Sequence, residues 1–387
     1  MSGSHPLLLP PLSLYIHIPW CVQKCPYCDF NSHAQPDVIP EQAYIARLID
    51  DLEADLHYVQ DRSLTSIFIG GGTPSLFSAE GIAKLLAQVK ARIPFAEDIE
   101  ITLEANPGTF ETERFSGFVD AGVNRLSIGV QSLQAHQLQR LGRIHDPIQA
   151  KTAAHHAAKI PLHSFNLDLM HGLPDQTLTS AMGDLDGIIA LSPPHISWYQ
   201  LTIEPNTLFA SKPPVLPDDD TLWAIYEQGH QRLAAAGYEQ YEVSAYGKPG
   251  HRGRHNINYW QFGDYLGIGC GAHGKITRPE EQDIIRTEKV KHPRGYLDLT
   301  RDMTFKRWTV TESDRTFEYF MNRLRLLEPV PKHEFSERTG LSIGVAERAL
   351  ERAIVGGYLD DQGTTWQTTA QGRLYLNHVL TELLETD

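Results

Sequence analysis

Between residues 14 and 246 the chain alternates short apolar runs with amphipathic stretches, and this alternation restricts its fold more than any single motif does. The runs that read as strands are residues 14–18, 66–69, 100–104, 125–130, 163–169 and 195–201. Helical periodicity fills residues 41–59, 79–92, 111–121, 149–158 and 178–190, and a further helix-like stretch, 218–236, follows the last strand. Strands that alternate with helices run parallel and are joined by right-handed crossovers. Six such units predict an α/β fold, a partial (β/α)6 barrel over residues 1–237. In that geometry function collects at the C-terminal ends of the strands.

Residues 238–310 are rich in Gly, His, Tyr and Trp with little regular period, and read as a connecting or cap region. From residue 311 to 387 the character changes again. Helices are expected at 314–328, 332–339 and 343–356, then a two-stranded turn over 358–366 and a last helix from Ala370, which together suggest a winged-helix-like module. Its acidic end and the net charge of −14 oppose a nucleic-acid partner, because phosphate binding needs clustered cations. The basic run from Lys289 to Arg294 reads as a solvated loop. The start of the chain lacks the basic, then apolar pattern of a secretory signal, and no apolar run is long enough to span a bilayer, so a cytoplasmic protein is expected.

Only four cysteines occur, and three of them form Cys21-Val-Gln-Lys-Cys25-Pro-Tyr-Cys28, directly after the first strand. That is no disulfide framework. Three thiolates on one loop hold three corners of an iron–sulfur cubane and leave one iron open to a small molecule. The alternatives at this point are zinc, with His17 or His33 completing the set, or ordinary buried cysteines. The fourth, Cys270, lies among small residues and reads as a packing residue.

Polar groups follow at the ends of the other strands. Gly70-Gly71-Gly72-Thr73-Pro74 permits close approach of backbone to a ligand. Glu104 is placed to receive an ammonium or ribose hydroxyls, and Gln131 to bind a sugar. Arg143 suits a carboxylate, and Asp168 is an acid set in an apolar strand.

Together these motifs closely resemble the radical S-adenosylmethionine superfamily, in the branch that contains oxygen-independent coproporphyrinogen III dehydrogenase. The resemblance implies that Cys21, Cys25 and Cys28 ligate a [4Fe–4S] cluster. It implies that Tyr15, Gly71, Gly72, Thr73, Glu104, Gln131, Arg143 and Asp168 hold S-adenosylmethionine, whose reductive cleavage yields a 5′-deoxyadenosyl radical.

Two features depart from the dehydrogenase. That branch carries a further cysteine two residues after the third, where this chain has Phe30. The run His255-Asn256-Ile-Asn-Tyr259-Trp260 is similar to the His-Asn-x-x-Tyr-Trp signature of the HemW family of heme chaperones. By that resemblance His255 is an iron ligand, and Tyr259 and Trp260 line the porphyrin. Unaided, the residues read equally as a hydrogen-bonded histidine beside packing aromatics. The expected function is heme binding and transfer to acceptor hemoproteins, membrane-bound respiratory proteins among them, with the protein peripheral at the membrane during transfer. The alternative is oxidative decarboxylation of coproporphyrinogen III.

Overall fold

The computed structural model describes residues 5–384, so the acidic residues 385–387 and the first four residues lie outside the described residues. The alternating units form as their patterns dictate. They are β1 (Leu12–Ile18), α1 (Glu41–Asp55), β2 (Leu64–Gly71), α2 (Ala79–Lys90), β3 (Phe95–Ala105) and α3 (Thr109–Asp120). After them come β4 (Arg125–Gln131), α4 (Pro147–Ala157), β5 (Ser164–His171), α5 (Leu178–Ala190), β6 (His195–Gln200) and α6 (Asp219–Ala235). Ser78 caps α2, Asp146 caps α4 and Thr177 caps α5, each accepting a backbone N–H of the first turn.

Strands β1 to β6 are parallel neighbours in chain order, so the connections wrap one way around a curved sheet. Leu12, Leu14, Ile16 and Ile18 of β1 face outward and are buried with Tyr44, Leu48 and Leu52 of α1 in the main core. Their alternates Ser13, Tyr15 and His17 face inward, which makes the barrel lumen polar.

Residues 238–310 add six more strands to the same sheet. They are β7 (Glu239–Glu242), β8 (Ala245–Gly247), β9 (Asp264–Ile268), β10 (His273–Arg278), β11 (Asp283–Lys289) and β12 (Thr304–Thr309), with a short helix, α7 (Arg254–Trp260), before β9. The full order is β12-β11-β10-β9-β1-β2-β3-β4-β5-β6-β8-β7. Strand β9 lies parallel to β1, about 250 residues away in sequence, while β10 to β12 continue antiparallel. The joint is held by charge. Asp264 is fully buried and binds Arg62 at 2.9 Å, Lys275 at 3.0 Å and both the amide and hydroxyl of Thr277.

In the basic run that the sequence suggested as a solvated loop, Lys291 and Arg294 are exposed, but Lys289 departs from that reading as the last residue of β11. Lys289 is fully buried and pairs with Asp51 at 2.6 Å and Asp55 at 2.7 Å on α1. Only a pairing across the fold, invisible locally, makes burying that ammonium tolerable.

The C-terminal module consists of α8 (Glu312–Arg323), α9 (Lys332–Thr339), α10 (Ile343–Val355) and a small sheet containing Leu359–Asp361 and Thr365–Thr368. Its own core gathers Tyr319, Phe320, Phe335, Leu350 and Trp366, and it takes in Leu7 from the N-terminal arm and Phe262 from the loop before β9.

Candidate functional site: the top of the barrel

The cysteine loop leaves β1 and is closed by a short parallel pairing of Trp20–Cys21 with His33–Ala34. Asn31 pins the loop to the rest of the protein, donating to the carbonyls of Cys270 and Lys291 at 2.9 Å each. The close approach explains a nearby glycine. Gly271 has φ +75°, and any Cβ there would lie 2.2 Å from the Asn31 amide. Cys270, buried as expected, sits behind this contact.

Cys21, Cys25 and Cys28 all line one cavity of about 450 Å³ at the C-terminal ends of the strands. Among the described residues no three His, Cys, Asp or Glu side chains converge on a single ion position. Three thiols spread along one wall suit a cluster, in which each sulfur takes a different iron. Burial pushes the Cys21 and Cys28 thiols up, so taking up iron, which needs thiolates, releases protons.

The glycine run packs against the base of that loop. The amide of Gly72 donates to Ile18 and that of Thr73 to Trp20, while Gly71 has φ +119° with the His17 ring where a Cβ would go. The Gly71 amide donates to Glu104 at 3.0 Å. Burial, reinforced by the charge of Asp168, pushes the Glu104 carboxyl up to about 7, although that backbone bond opposes the shift. Asp168 is raised too, by burial, against hydrogen bonds from Asn166 at 2.7 Å and Ser127 at 3.3 Å. Two acids with raised pKa values lining one cavity are poised to receive a cation or hydroxyl donors.

Arg143 spans the cavity wall. Its guanidinium donates to the Gly129 carbonyl at 2.7 Å and to Asn106 at 2.6 Å, and reaches the Cys25 sulfur at 3.6 Å. Burial opposes its charge, but Tyr27 and Cys25 beside it outweigh that and raise its pKa. Gln131 ends β4 with φ +69°, a left-handed conformation costly for a side chain with a Cβ, and it accepts the Tyr199 hydroxyl at 2.8 Å.

The predicted residues Gly71, Gly72, Thr73, Glu104, Gln131, Arg143 and Asp168 therefore share one cavity with the three cysteines. Tyr15 does not line it. It sits one layer below, hydrogen-bonded to His17 at 2.9 Å and stacked on Phe68. Phe30 stands at the rim, 58 % exposed. Sequence reading passed over Tyr199, Asn106 and Asn166. Tyr199 was detectable, because it sits next to last in a parallel strand, two residues from inward-facing Ser197.

The lower end of the barrel is plugged by α7, which carries the His-Asn-x-x-Tyr-Trp run. Glu100 of β3 accepts the amides of Arg254 and His255 at 3.1 Å each, so an acid meets the positive end of the helix. Asn258 donates to Ser13 and to the Asp264 carbonyl, at 2.9 Å each. His255 is buried, with Nδ1 2.9 Å from the Ser66 hydroxyl and Nε2 2.9 Å from the Tyr259 hydroxyl. Burial drives its pKa down to about 3, so the ring is neutral. Both nitrogens are thus engaged inside the protein, and neither faces the upper cavity. Tyr259 and Trp260 line a second cavity, of about 440 Å³, beside β9 to β12.

Residues 15–185 match the radical SAM superfamily model, and residues 310–375 match the HemN C-terminal domain. The chain is 60% identical over 383 residues to the heme chaperone HemW of Haemophilus influenzae, covering 98% of this chain and 99% of that one. It is 59% identical to the heme chaperone HemW of Escherichia coli, over 96% of this chain and 98% of that one. The Bacillus subtilis heme chaperone HemW is 33% identical over 95% of this chain and 97% of its own. Among solved structures the fold is similar to coproporphyrinogen III oxidase (HemN) of Escherichia coli, a radical SAM enzyme. That match has a TM-score of 0.81 at 22% identity, covering 97% of this chain and 90% of that one. The chain belongs to the HemW family of the radical SAM superfamily.

Proposed function

We propose that the protein is a heme chaperone, which binds heme and passes it to acceptor hemoproteins. The observation that carries this reading is the near full-length likeness, at 60% identity, to a heme chaperone. The presence of Phe30 where the dehydrogenase branch has its additional cysteine supports it.

Cys21, Cys25 and Cys28 would ligate a [4Fe–4S] cluster. Gly71, Gly72, Thr73, Glu104, Gln131, Arg143 and Asp168 would hold S-adenosylmethionine against it, with Tyr15 below them, hydrogen-bonded to His17. When bound, the pair supplies one-electron reduction of a sulfonium. The chain's own part is to orient and to exclude water. Glu104 and Asp168 offer carboxylates to the ammonium and ribose, Arg143 offers a cation to the carboxylate, and Gln131 is fixed by Tyr199. Acceptors include membrane-bound respiratory proteins, met from the cytoplasm. No helix among the described residues is long and apolar enough to cross a membrane.

The test is anaerobic reconstitution followed by two assays on one preparation, heme titration by absorbance and turnover of coproporphyrinogen III. Saturable heme binding without decarboxylation supports the chaperone. Release of carbon dioxide from coproporphyrinogen without heme binding overturns it in favour of the dehydrogenase.

A further inference from the structure

The second cavity lies on a continuation of the barrel's inner face. Tyr15 of β1 is level with Gly267 of β9, and Tyr265, two residues away, shares that face. From Tyr265 the register runs across neighbouring strands through Lys275 and Arg286 to Trp308. Two residues along each strand, in the next row on the same face, His273 of β10 opposes Glu288, which opposes Lys306 of β12. Helix α7 overhangs this surface with Tyr259 and Trp260, and the space between holds about 440 Å³.

The lining combines aromatic rings with cationic groups, Lys275 and Arg286. Tyr259, Trp260, Tyr265 and Trp308 supply flat aromatic surface. Arg286 fixes part of the wall, bound to Glu318 at 2.6 Å and to the Tyr265 hydroxyl at 2.7 Å. Beside the cavity, two residues from the lining Trp308, the exposed ammonium of Lys306 lies 4.6 Å from the Trp308 ring and has no carboxylate partner among the described residues. The buried indole N–H of Trp260 has no acceptor. His273 lines the same cavity, is exposed, and uses neither ring nitrogen in a hydrogen bond. An aromatic slot with a free imidazole and a rim cation fits a flat metallated macrocycle that carries carboxylates.

We propose that this cavity is the seat of heme, with His273 rather than His255 as the axial nitrogen ligand, the rings of Tyr259, Trp260 and Trp308 against the macrocycle, and Lys306 receiving a propionate. The assignment rests on the heme-binding reading above. His255 becomes a positioning residue, because its Nε2 holds the Tyr259 hydroxyl at 2.9 Å while Ser66 holds its other nitrogen. For the Nε2 of His255 to reach iron, its bond to Tyr259 would have to break inside the core, and the Tyr259 hydroxyl would lose that partner.

The test uses the full chain, reconstituted anaerobically and titrated with ferric and ferrous heme, for the parent and for His273→Gly, His255→Gln and Lys306→Glu. The His273→Gly protein should bind heme at least about tenfold more weakly, a loss of about 1.4 kcal/mol, and its Soret band should move. Added imidazole should restore the parent spectrum in that variant alone. His255→Gln should keep the axial-histidine spectrum while its affinity falls, and Lys306→Glu should weaken binding with the spectrum unchanged. An unaltered spectrum in His273→Gly overturns the proposal. So does loss of the axial-histidine signature in His255→Gln when its circular dichroism and iron content equal the parent's. A parent that binds no heme brings down the chaperone reading itself, a result distinct from either of these.

Discussion

Arg143 holds a guanidinium nitrogen 3.6 Å from the sulfur of Cys25, which ties the cysteine loop to the end of β4 through the Gly129 carbonyl. One side chain thus touches the wall proposed for the cluster and the wall proposed for S-adenosylmethionine. Lysine cannot reproduce that fork, since it presents a point charge. Arg143→Lys is expected to keep its iron and lose about 1.5–3 kcal/mol of S-adenosylmethionine affinity, roughly tenfold to a hundredfold, by anaerobic calorimetry.

The proposed function divides the cysteines into three that bind and one that packs. Cys25→Ser should leave the reconstituted protein without its full iron and labile sulfide. Cys270→Ala should keep both, because the Cys270 sulfur lies behind the loop, donating to the Lys291 carbonyl at 2.8 Å and accepting from Asn31 at 3.6 Å, while Asn31 keeps its bonds to the backbone carbonyls. Chemical assay of iron and sulfide in the two variants separates the roles, and equal loss in both would contradict them.

Glu104 links pH to stability. Its carboxyl lines the upper cavity, and burial pushes it up from its ordinary 4.5 to about 7. The native state therefore keeps a proton that the unfolded chain has already released. Stability is full below the unfolded value and falls as pH rises to about 7, by up to about 3 kcal/mol. Glu104→Gln should remove that loss. Above neutral pH the unliganded variant should melt a few degrees higher than the parent, yet bind S-adenosylmethionine less well. A parallel fall in both properties would show that the carboxylate serves the fold and not a ligand.

Asp264 carries the joint between β9 and β1. It is fully buried and answers two cations and the Thr277 amide and hydroxyl. Asp264→Asn leaves Lys275 and Arg62 without their counter-charge and should cost about 3–5 kcal/mol of stability, read from denaturant unfolding. The effect should be seen whether or not iron has been loaded.

Much of the upper site was legible because it is written in local signals. A cysteine triad after an apolar strand, a glycine run and acids at strand ends each occupy a few consecutive residues, and parallel alternation brings those ends together. What escaped was non-local. Nothing within Asp264–Ile268 announces that it pairs with β1, and nothing around Lys289 shows that Asp51 and Asp55 await it. The His255 motif is the sharpest case. Its residues suggest an iron ligand, while Nδ1 is engaged by Ser66, 189 residues away in β2, and Nε2 by Tyr259. Conversely, His273 sits in no motif and is exposed to a cavity that only the register of four strands creates.

The most direct measurement is transfer. Protein loaded with one heme and carrying its cluster is mixed with an apo-b-type cytochrome, and the two Soret bands are followed in time. The account predicts that the donor band decays as the acceptor band grows, faster than with free heme at equal concentration, and that Lys306→Glu alters the rate. Heme that stays on the chain, or reaches the acceptor no faster than free heme does, would contradict it.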